Sequence, residues 1–311
     1  MEILGADETR NLLPYDGLAD EIREMALRRT SGEVQAPPRL ALSLPEGGVL
    51  LVMPASDEDI AITKLVTVHP ENSRRGLPTI QGEVVAMEAA NGRRLGILDG
   101  SVVTARRTSA LSLLAVKAFA PRPDGPLLIV GAGTQGRAHL EAFREGLGTP
   151  RVFVASRTTE RAEALADYAG SLGMEARVVE EPWEALDEVS LVVTATTSRE
   201  PVLPEGVPEG VFVAAVGAFN PEMAELPAGL LARSTVVVDS LEGAKEEAGD
   251  LIQAEKTGAF SWESVTSLED ALRWPEPPEG PVVFKSVGHA LWDLAAARTA
   301  FGRRGGRGSD G

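Results

Sequence analysis

Apolar residues in the first thirty positions, Leu12, Leu13, Leu18, Ile22, Met25 and Leu27, recur at helical spacing with Arg and Glu between them. This predicts an amphipathic helix over about residues 15–30. The period then shortens. The segments 49–54 (VLLVMP), 59–69 (DIAITKLVTVH), 79–89 (TIQGEVVAMEA) and 94–98 (RLGIL) read as strands. Asn91-Gly92 between the last two predicts a hairpin with a type I′ turn, which needs positive φ at both central residues. Helical spacing returns over 103–120 and stops at Pro121, where Pro123 and Gly125 extend a linker. Residues 1–121 thus read as an α+β unit.

From Leu127 the rhythm becomes strand, helix, strand, which predicts a parallel sheet with helices on its faces. The candidate strands are 127–130, 152–155, 176–179, 191–196, 211–216 and 235–239, and six is the count of a doubly wound dinucleotide fold. Helices are expected at 135–147, 158–172 and 222–233, with the sheet ending before the Pro-rich segment 274–281. A last helix over about 288–301 precedes RRGGRGSDG, expected to be a frayed tail.

Composition narrows the chemistry. The 311 residues contain no Cys, which removes disulfides, thiolate nucleophiles and Cys-ligated metals together. Three scattered histidines, His69, His139 and His289, leave little for a metal site, so none is expected. A net charge of −16 opposes binding to nucleic acid. No apolar run approaches the roughly 20 residues of a membrane span, and the N-terminus has no basic or apolar leader, so a soluble cytoplasmic protein is expected. Only five of the 30 basic residues are Lys, and Lys64 stands out in an apolar stretch.

After the apolar strand 127–130 comes Gly131-Ala132-Gly133-Thr134-Gln135-Gly136, a G-x-G-x-x-G in strand–turn–helix context. Gly131 permits the tight turn, Gly133 lets a pyrophosphate approach, and Gly136 permits close helix–strand packing. The helix N-terminus adds unpaired N–H groups for the anion. The next strand ends in Ser156-Arg157-Thr158, where an NAD site would usually place a carboxylate for the ribose 2′-OH. An Arg flanked by hydroxyls suits a 2′-phosphate instead, so NADPH is the expected cofactor, ahead of NADH. Thr194-Ala195-Thr196 and Val216-Gly217-Ala218 end two later strands and are expected to line the same crevice.

Ordered motifs along most of the chain resemble the ornithine cyclodeaminase/mu-crystallin family. They are Met53-Pro54-Ala55, Lys64-Leu65-Val66, Asn72, Gly76-Leu77-Pro78-Thr79-Ile80, Leu98-Asp99-Gly100, Thr104-Ala105-Arg106-Arg107-Thr108 and Gly131-Ala132-Gly133-Thr134-Gln135. Val237-Val238-Asp239, Gly249-Asp250-Leu251 and Phe284-Lys285-Ser286-Val287-Gly288 complete the set. The resemblance implies an α/β fold in which a Rossmann doubly wound parallel sheet (122–281) is inserted in an α+β substrate and dimerisation domain. That domain would comprise 1–121 completed by the C-terminal helix 282–302, with 303–311 a flexible tail. It also implies a homodimer acting on a small molecule.

By the same resemblance, Arg39 and Arg107 hold a substrate carboxylate through their planar guanidinium forks, and Met53 joins them in the substrate pocket. Lys64 is the active-site lysine, orienting the carboxylate or donating a proton to an imine nitrogen. Thr108 and Gly288 join the cofactor contacts. The departure is Phe219, where ornithine cyclodeaminase carries an Asp that engages the substrate amino group. Phe cannot accept a hydrogen bond, so ornithine cyclisation is disfavoured and an apolar lid over a cyclic substrate is expected.

The reaction the resemblance points to is NADPH-dependent reduction of a cyclic ketimine carboxylate, 1-pyrroline-2-carboxylate or 1-piperideine-2-carboxylate, to proline or pipecolate. Reductive amination of a 2-oxo acid stands beside it as the alternative. Ornithine cyclodeamination and non-enzymatic NADPH binding stand further back. Plainer roles compete residue by residue. Arg39 and Arg107 also read as surface ion pairs, Arg157 as a helix cap, Lys64 as a strand-edge gatekeeper, Lys285 as a surface or cofactor residue and Asp293 as a helix-face residue. His139 reads as a packing residue, and Trp183, Trp262, Trp274 and Trp292 as core or interface anchors.

Overall fold

The computed structural model describes residues 2–302, so the expected tail at 303–311 lies outside the described residues. From the N-terminus the chain forms β1 (Glu2–Ile3), α1 (Ala6–Leu12), α2 (Tyr15–Ser31), β2 (Leu40–Ser43), β3 (Val49–Ser56), β4 (Ile60–Val68), β5 (Ile80–Glu88), β6 (Arg94–Asp99) and α3 (Gly100–Phe119). It continues through β7 (Leu127–Val130), α4 (Thr134–Leu147), β8 (Arg151–Ala155), α5 (Thr159–Ser171), β9 (Glu175–Val178), β10 (Leu191–Thr194), β11 (Phe212–Ala215), α6 (Ala228–Arg233) and β12 (Thr235–Val238). The last elements are α7 (Leu241–Glu247), α8 (Gly249–Lys256), β13 (Val265–Ser267), α9 (Leu268–Ala271), β14 (Val282–Lys285) and α10 (Ala290–Phe301). The chain divides into two compact units, one running to Arg107 and resuming at Ala290, the other covering Thr108–His289. The first division falls inside α3 rather than at Pro121, and the second after β14 rather than before it.

In the first unit six strands form one sheet in the order β1-β6-β5-β4-β3-β2, with α2 and α10 packed together and α10 lying against β3, β4 and β5. Helix α2 buries Tyr15, Leu18, Ala19, Ile22, Met25 and Ala26, one stripe at helical spacing, and ends on Gly32 at φ 76°. Strand β4 alternates, with Ile60, Ile62, Lys64 and Val66 buried and Leu65 exposed. A lysine therefore occupies an inward position. Asp57 closes the β3–β4 turn by accepting from the backbone N–H of Asp59 (2.9 Å) and Ile60 (2.8 Å), and it pairs with Arg28 and Arg298. This carboxylate ties α2 and α10 to the hairpin.

The β5–β6 hairpin forms, but its turn differs from expectation. Only Gly92 has positive φ (74°), so the turn is not type I′. Gly92 N–H donates to Glu88 O (3.0 Å) and the Asn91 side chain accepts from Arg93 N–H (2.8 Å), which lets Asn91 keep an ordinary backbone conformation.

The second unit is a parallel sheet of eight strands, β13-β12-β14-β11-β10-β7-β8-β9. Strands β7, β10, β11 and β14 are buried at every residue, as sheets covered on both faces require. The expectation that the sheet ends before residue 274 is corrected: β14 follows the Pro-rich segment and inserts between β11 and β12. Its four-residue apolar run is too short to announce itself by period. The helix expected over 222–233 shrinks to α6, because Pro227 stands extended at its N-cap (φ −75°, ψ 148°). Phe119 packs against Phe212 (5.9 Å), Trp274 (5.8 Å) and Phe284 (6.1 Å), and Trp262 against Phe260 (5.6 Å). Trp292 is fully buried in the first unit, whereas Trp183 is 58% exposed and is no core anchor.

His139 is a packing residue. A carbonyl can only accept, so Nδ1–H donates to Gln135 O (2.8 Å) and Nε2 accepts from the Ser112 hydroxyl (2.9 Å). Burial lowers its pKa from 6.5 to about 4. Between those values the unfolded chain binds a proton that the folded chain refuses, so acidification from pH 6.5 to 4 removes about 3 kcal/mol of stability at this site. Urea unfolding across that window is expected to show the loss in wild type and a shallower dependence in His139→Gln; parallel curves would contradict it.

Candidate functional site

The first unit carries a buried cluster of charge. Lys64 is 3% exposed, and its Nζ donates to Asp293 Oδ1 at 3.0 Å. Arg107, on α3 and 6% exposed, brings Nε to 3.4 Å from the same oxygen. Lys64 lies on a central strand, directly opposite Met53 on β3 and Val84 on β5, and Val84 faces Leu98 on β6. Cross-strand partners share a face, so the ammonium rises from an apolar surface. The strand-edge and surface roles for Lys64 and Arg107 are thereby overturned. Asp293 is fully buried, not a helix-face residue, and its Oδ2 has no hydrogen-bond partner.

Burial lowers the pKa of Lys64 below its usual 10.5; Asp293 pulls it back up, while the positive charges of Arg107 and Arg39 lower it further. Arg39 is exposed, just before β2, yet its field reaches the ammonium. Two buried cations share one carboxylate oxygen here, in a chain of net charge −16. The surplus is what an anionic ligand needs.

The second unit opens a crevice of about 520 Å3 at the C-terminal ends of β7, β8 and β10. Gly131, Gly133, Ser156, Arg157, Thr158, Ala195 and Thr196 line it as expected. Gly131 has φ 111°, and a Cβ there would stand 2.5 Å from Ala195 O. A Cβ on Gly136 would meet Gly131 O at 2.0 Å, whereas Gly133 has open space around it. The turn is thus packed where helix meets strand and clear where a phosphate would approach. Gln135 Oε1 is buried with no partner, a further polar atom left for a ligand. These features fit a dinucleotide.

Other expected contacts lie elsewhere. Thr134 is exposed at the start of α4 and Thr108 is buried on α3. Thr194 does not line the crevice: it is fully buried and its hydroxyl donates to Glu225 (3.0 Å). Gly217 and Ala218 give their N–H groups to the same carboxylate (2.7 and 3.3 Å) beside half-buried Val216. Gly288, at φ 88°, donates to Asp239 Oδ2 (3.0 Å). Lys285 is fully buried and its Nζ lies 2.6 Å from Asp250 Oδ2, so neither a surface role nor a free cofactor contact applies. Phe219 is 46% exposed in the loop after β11.

Glu225 and Arg161 escaped the sequence reading, and Asp293 and Trp183 were read only as a helix-face residue and a core or interface anchor. Asp293 is the one carboxylate in the apolar helix ALWDLAAARTAF, and Glu225 stands between buried Ala224 and Leu226. Both signals are single acids in apolar surroundings. Arg161, in the first turn of α5, lines the crevice together with Arg157, and Trp183 lines it with Glu180 and Glu181.

The family model described as "Ornithine cyclodeaminase/mu-crystallin family" matches residues 2–306. A curated relative from Azospirillum brasilense, a Delta(1)-pyrroline-2-carboxylate/Delta(1)-piperideine-2-carboxylate reductase, is 41% identical over 299 residues, 96% of this chain and 94% of its own length. The solved structure of Thermococcus litoralis Delta(1)-pyrroline-2-carboxylate reductase in complex with NADH and L-proline superposes with a TM-score of 0.89 at 28% identity, covering 97% of this chain and 96% of that one. An archaeal alanine dehydrogenase dimer with bound NAD gives 0.87 at 28% identity, covering 97% and 95%.

Proposed function

The chain belongs to the ornithine cyclodeaminase/mu-crystallin family, and on that premise we propose that it reduces a cyclic ketimine carboxylate with NADPH, giving proline from 1-pyrroline-2-carboxylate or pipecolate from 1-piperideine-2-carboxylate. The observation that carries this reading is the buried pair of cations, Lys64 and Arg107, on the single carboxylate of Asp293, with Arg39 close enough for its charge to act on the lysine. A reduced nicotinamide supplies hydride to the imine carbon. The residues of this chain do the rest. Arg39 and Arg107 bind the carboxylate, Met53 packs against the ring, and Lys64 donates a proton to the imine nitrogen. Unpartnered Asp293 Oδ2 offers an acceptor to a protonated nitrogen. Relatives named for both ring sizes support the substrate class.

The cofactor is held, in this reading, by Gly131, Gly133, Gln135, Ser156, Arg157 and Thr158, with Thr134 and Gly136 forming the helix start and Ala195 and Thr196 lining the crevice after β10. NADPH is favoured over NADH because the residues just after β8 are Ser156-Arg157-Thr158, with no carboxylate among them, and Arg161 adds a second guanidinium. Replacing Arg157 by Ala is expected to raise KM for NADPH about 10- to 100-fold, the worth of one charge-assisted contact, and to leave KM for NADH within about twofold. Equal changes for both cofactors would refute the assignment.

A homodimer accompanies this function. One face of the first unit's sheet carries exposed Leu40, Leu42 and Leu65, on the side opposite Lys64. Light scattering at micromolar protein tests it.

Absorbance of NADPH followed after adding 1-pyrroline-2-carboxylate tests the whole reading, with pyruvate plus ammonia and ornithine in parallel. Rapid loss with the cyclic imine is expected. Loss only with pyruvate and ammonia would move the protein to oxo-acid amination, which the same cations would also serve.

A further inference from the structure

Glu225 lies outside the chemistry assigned above, yet it is fully buried and its carboxylate accepts five hydrogen bonds. Its Oε1 accepts from the Thr196 N–H (2.6 Å) and the Thr196 hydroxyl (2.8 Å). Its Oε2 accepts from the Thr194 hydroxyl (3.0 Å) and from the N–H groups of Gly217 (2.7 Å) and Ala218 (3.3 Å). All five donors sit at the last residue of β10 or in the two segments that leave β10 and β11. A Cβ on Gly217 would come within 2.3 Å of both Glu225 Oε1 and Thr196 O, so the two segments close directly over the carboxylate.

The support for Glu225 is itself ionic. Its own N–H and that of Leu226 donate to Asp250 Oδ1, the latter at 2.9 Å, and Asp250 Oδ2 lies 2.6 Å from Lys285 Nζ. The pKa of Glu225 is raised, chiefly by burial and also by the charge of Asp250, against the lowering by Lys285 and the Thr196 donors. Each oxygen accepts from at least one backbone N–H, Thr196 at Oε1 and Gly217 at Oε2, which favours the carboxylate against the burial penalty. A second acid works alike on the neighbouring strand: Asp239 accepts from the Ser286 hydroxyl (2.7 Å) and the N–H groups of Val287 (3.2 Å) and Gly288 (3.0 Å).

In a doubly wound sheet the first half, here β7 to β9, takes the adenosine side of a dinucleotide, and the half beginning at β10 takes the other nucleotide. Arg157 follows β8, and every donor to Glu225 lies at the end of β10 or in the segments after β10 and β11. We propose that Glu225 is a positioning residue for the nicotinamide half of the cofactor, acting through the 194–198 and 216–218 segments and leaving the adenosine half to other residues. The inference rests on the NADPH reading above.

The two halves can be measured apart. In Glu225→Gln the amide nitrogen must point at donors, which displaces one segment or both. Binding of NADPH, read by its fluorescence, is expected to weaken at least about tenfold, while calorimetric binding of 2′,5′-ADP stays within about twofold of wild type. Thr194→Val, which removes one buried donor and keeps the shape, is expected to give the same split at about threefold and serves if the Gln variant does not fold. Parallel loss of both ligands, or no loss of either, would overturn the positioning role. Failure of wild type to bind NADPH while the fold is intact would instead remove the cofactor reading on which it depends.

Discussion

Lys64→Met is expected to lower kcat for ketimine reduction by about 10²- to 10⁴-fold, the range for loss of a positioned proton donor. Folding should survive, because Met fills the apolar part of the site and Asp293 keeps its contact with Arg107. The pH profile makes the prediction specific. Protonated Lys64 is the donor, and its pKa lies below 10.5, so kcat/KM should fall on the alkaline side at a pH below that value. Removing Arg39 takes away a positive neighbour, raises the pKa and should move the limb to higher pH. Removing Asp293 does the opposite. An unchanged alkaline limb in Lys64→Met, measured under NADPH saturation, would show that another group titrates.

The second large effect is on stability. Asp293→Ala is expected to cost about 3–5 kcal/mol in urea unfolding, because Lys64 and Arg107 are left buried without their shared counter-charge. Adding Lys64→Met to that variant should recover part of the loss, since one of the stranded cations goes with it. A double variant no more stable than Asp293→Ala alone would mean that the lysine had already discharged or found water. The two experiments together separate what this cluster does for the fold from what it does for the substrate. Its arrangement favours an anion at a cost the carboxylate offsets.

Much of this machinery was readable before any tertiary contact was known. The Gly-rich turn, the strands at 127–130 and 152–155, and the cationic end of β8 are local patterns: their periods and spacings are set by neighbours within one turn or one strand. Lys64 was visible because it breaks an apolar alternation and the chain has few lysines. Strand β14 was missed because a buried quartet after a Pro-rich segment carries no period. The type I′ turn was misjudged because a side-chain hydrogen bond from Asn91 relieved the need for a second positive φ.

The sequence by itself determined the strand–helix alternation and the dinucleotide turn, because each depends on backbone preferences and hydrophobic period along a few residues, whereas Arg39 and Arg107 were singled out by the family resemblance. Only the tertiary structure decided which carboxylates answer the cations. Asp293 meets Lys64 across 229 positions, and Glu225 meets Thr194 across 31. No periodicity spans such separations. A buried charge acquires its role from the groups that surround it in space, and those are brought together only when the sheet and helices close.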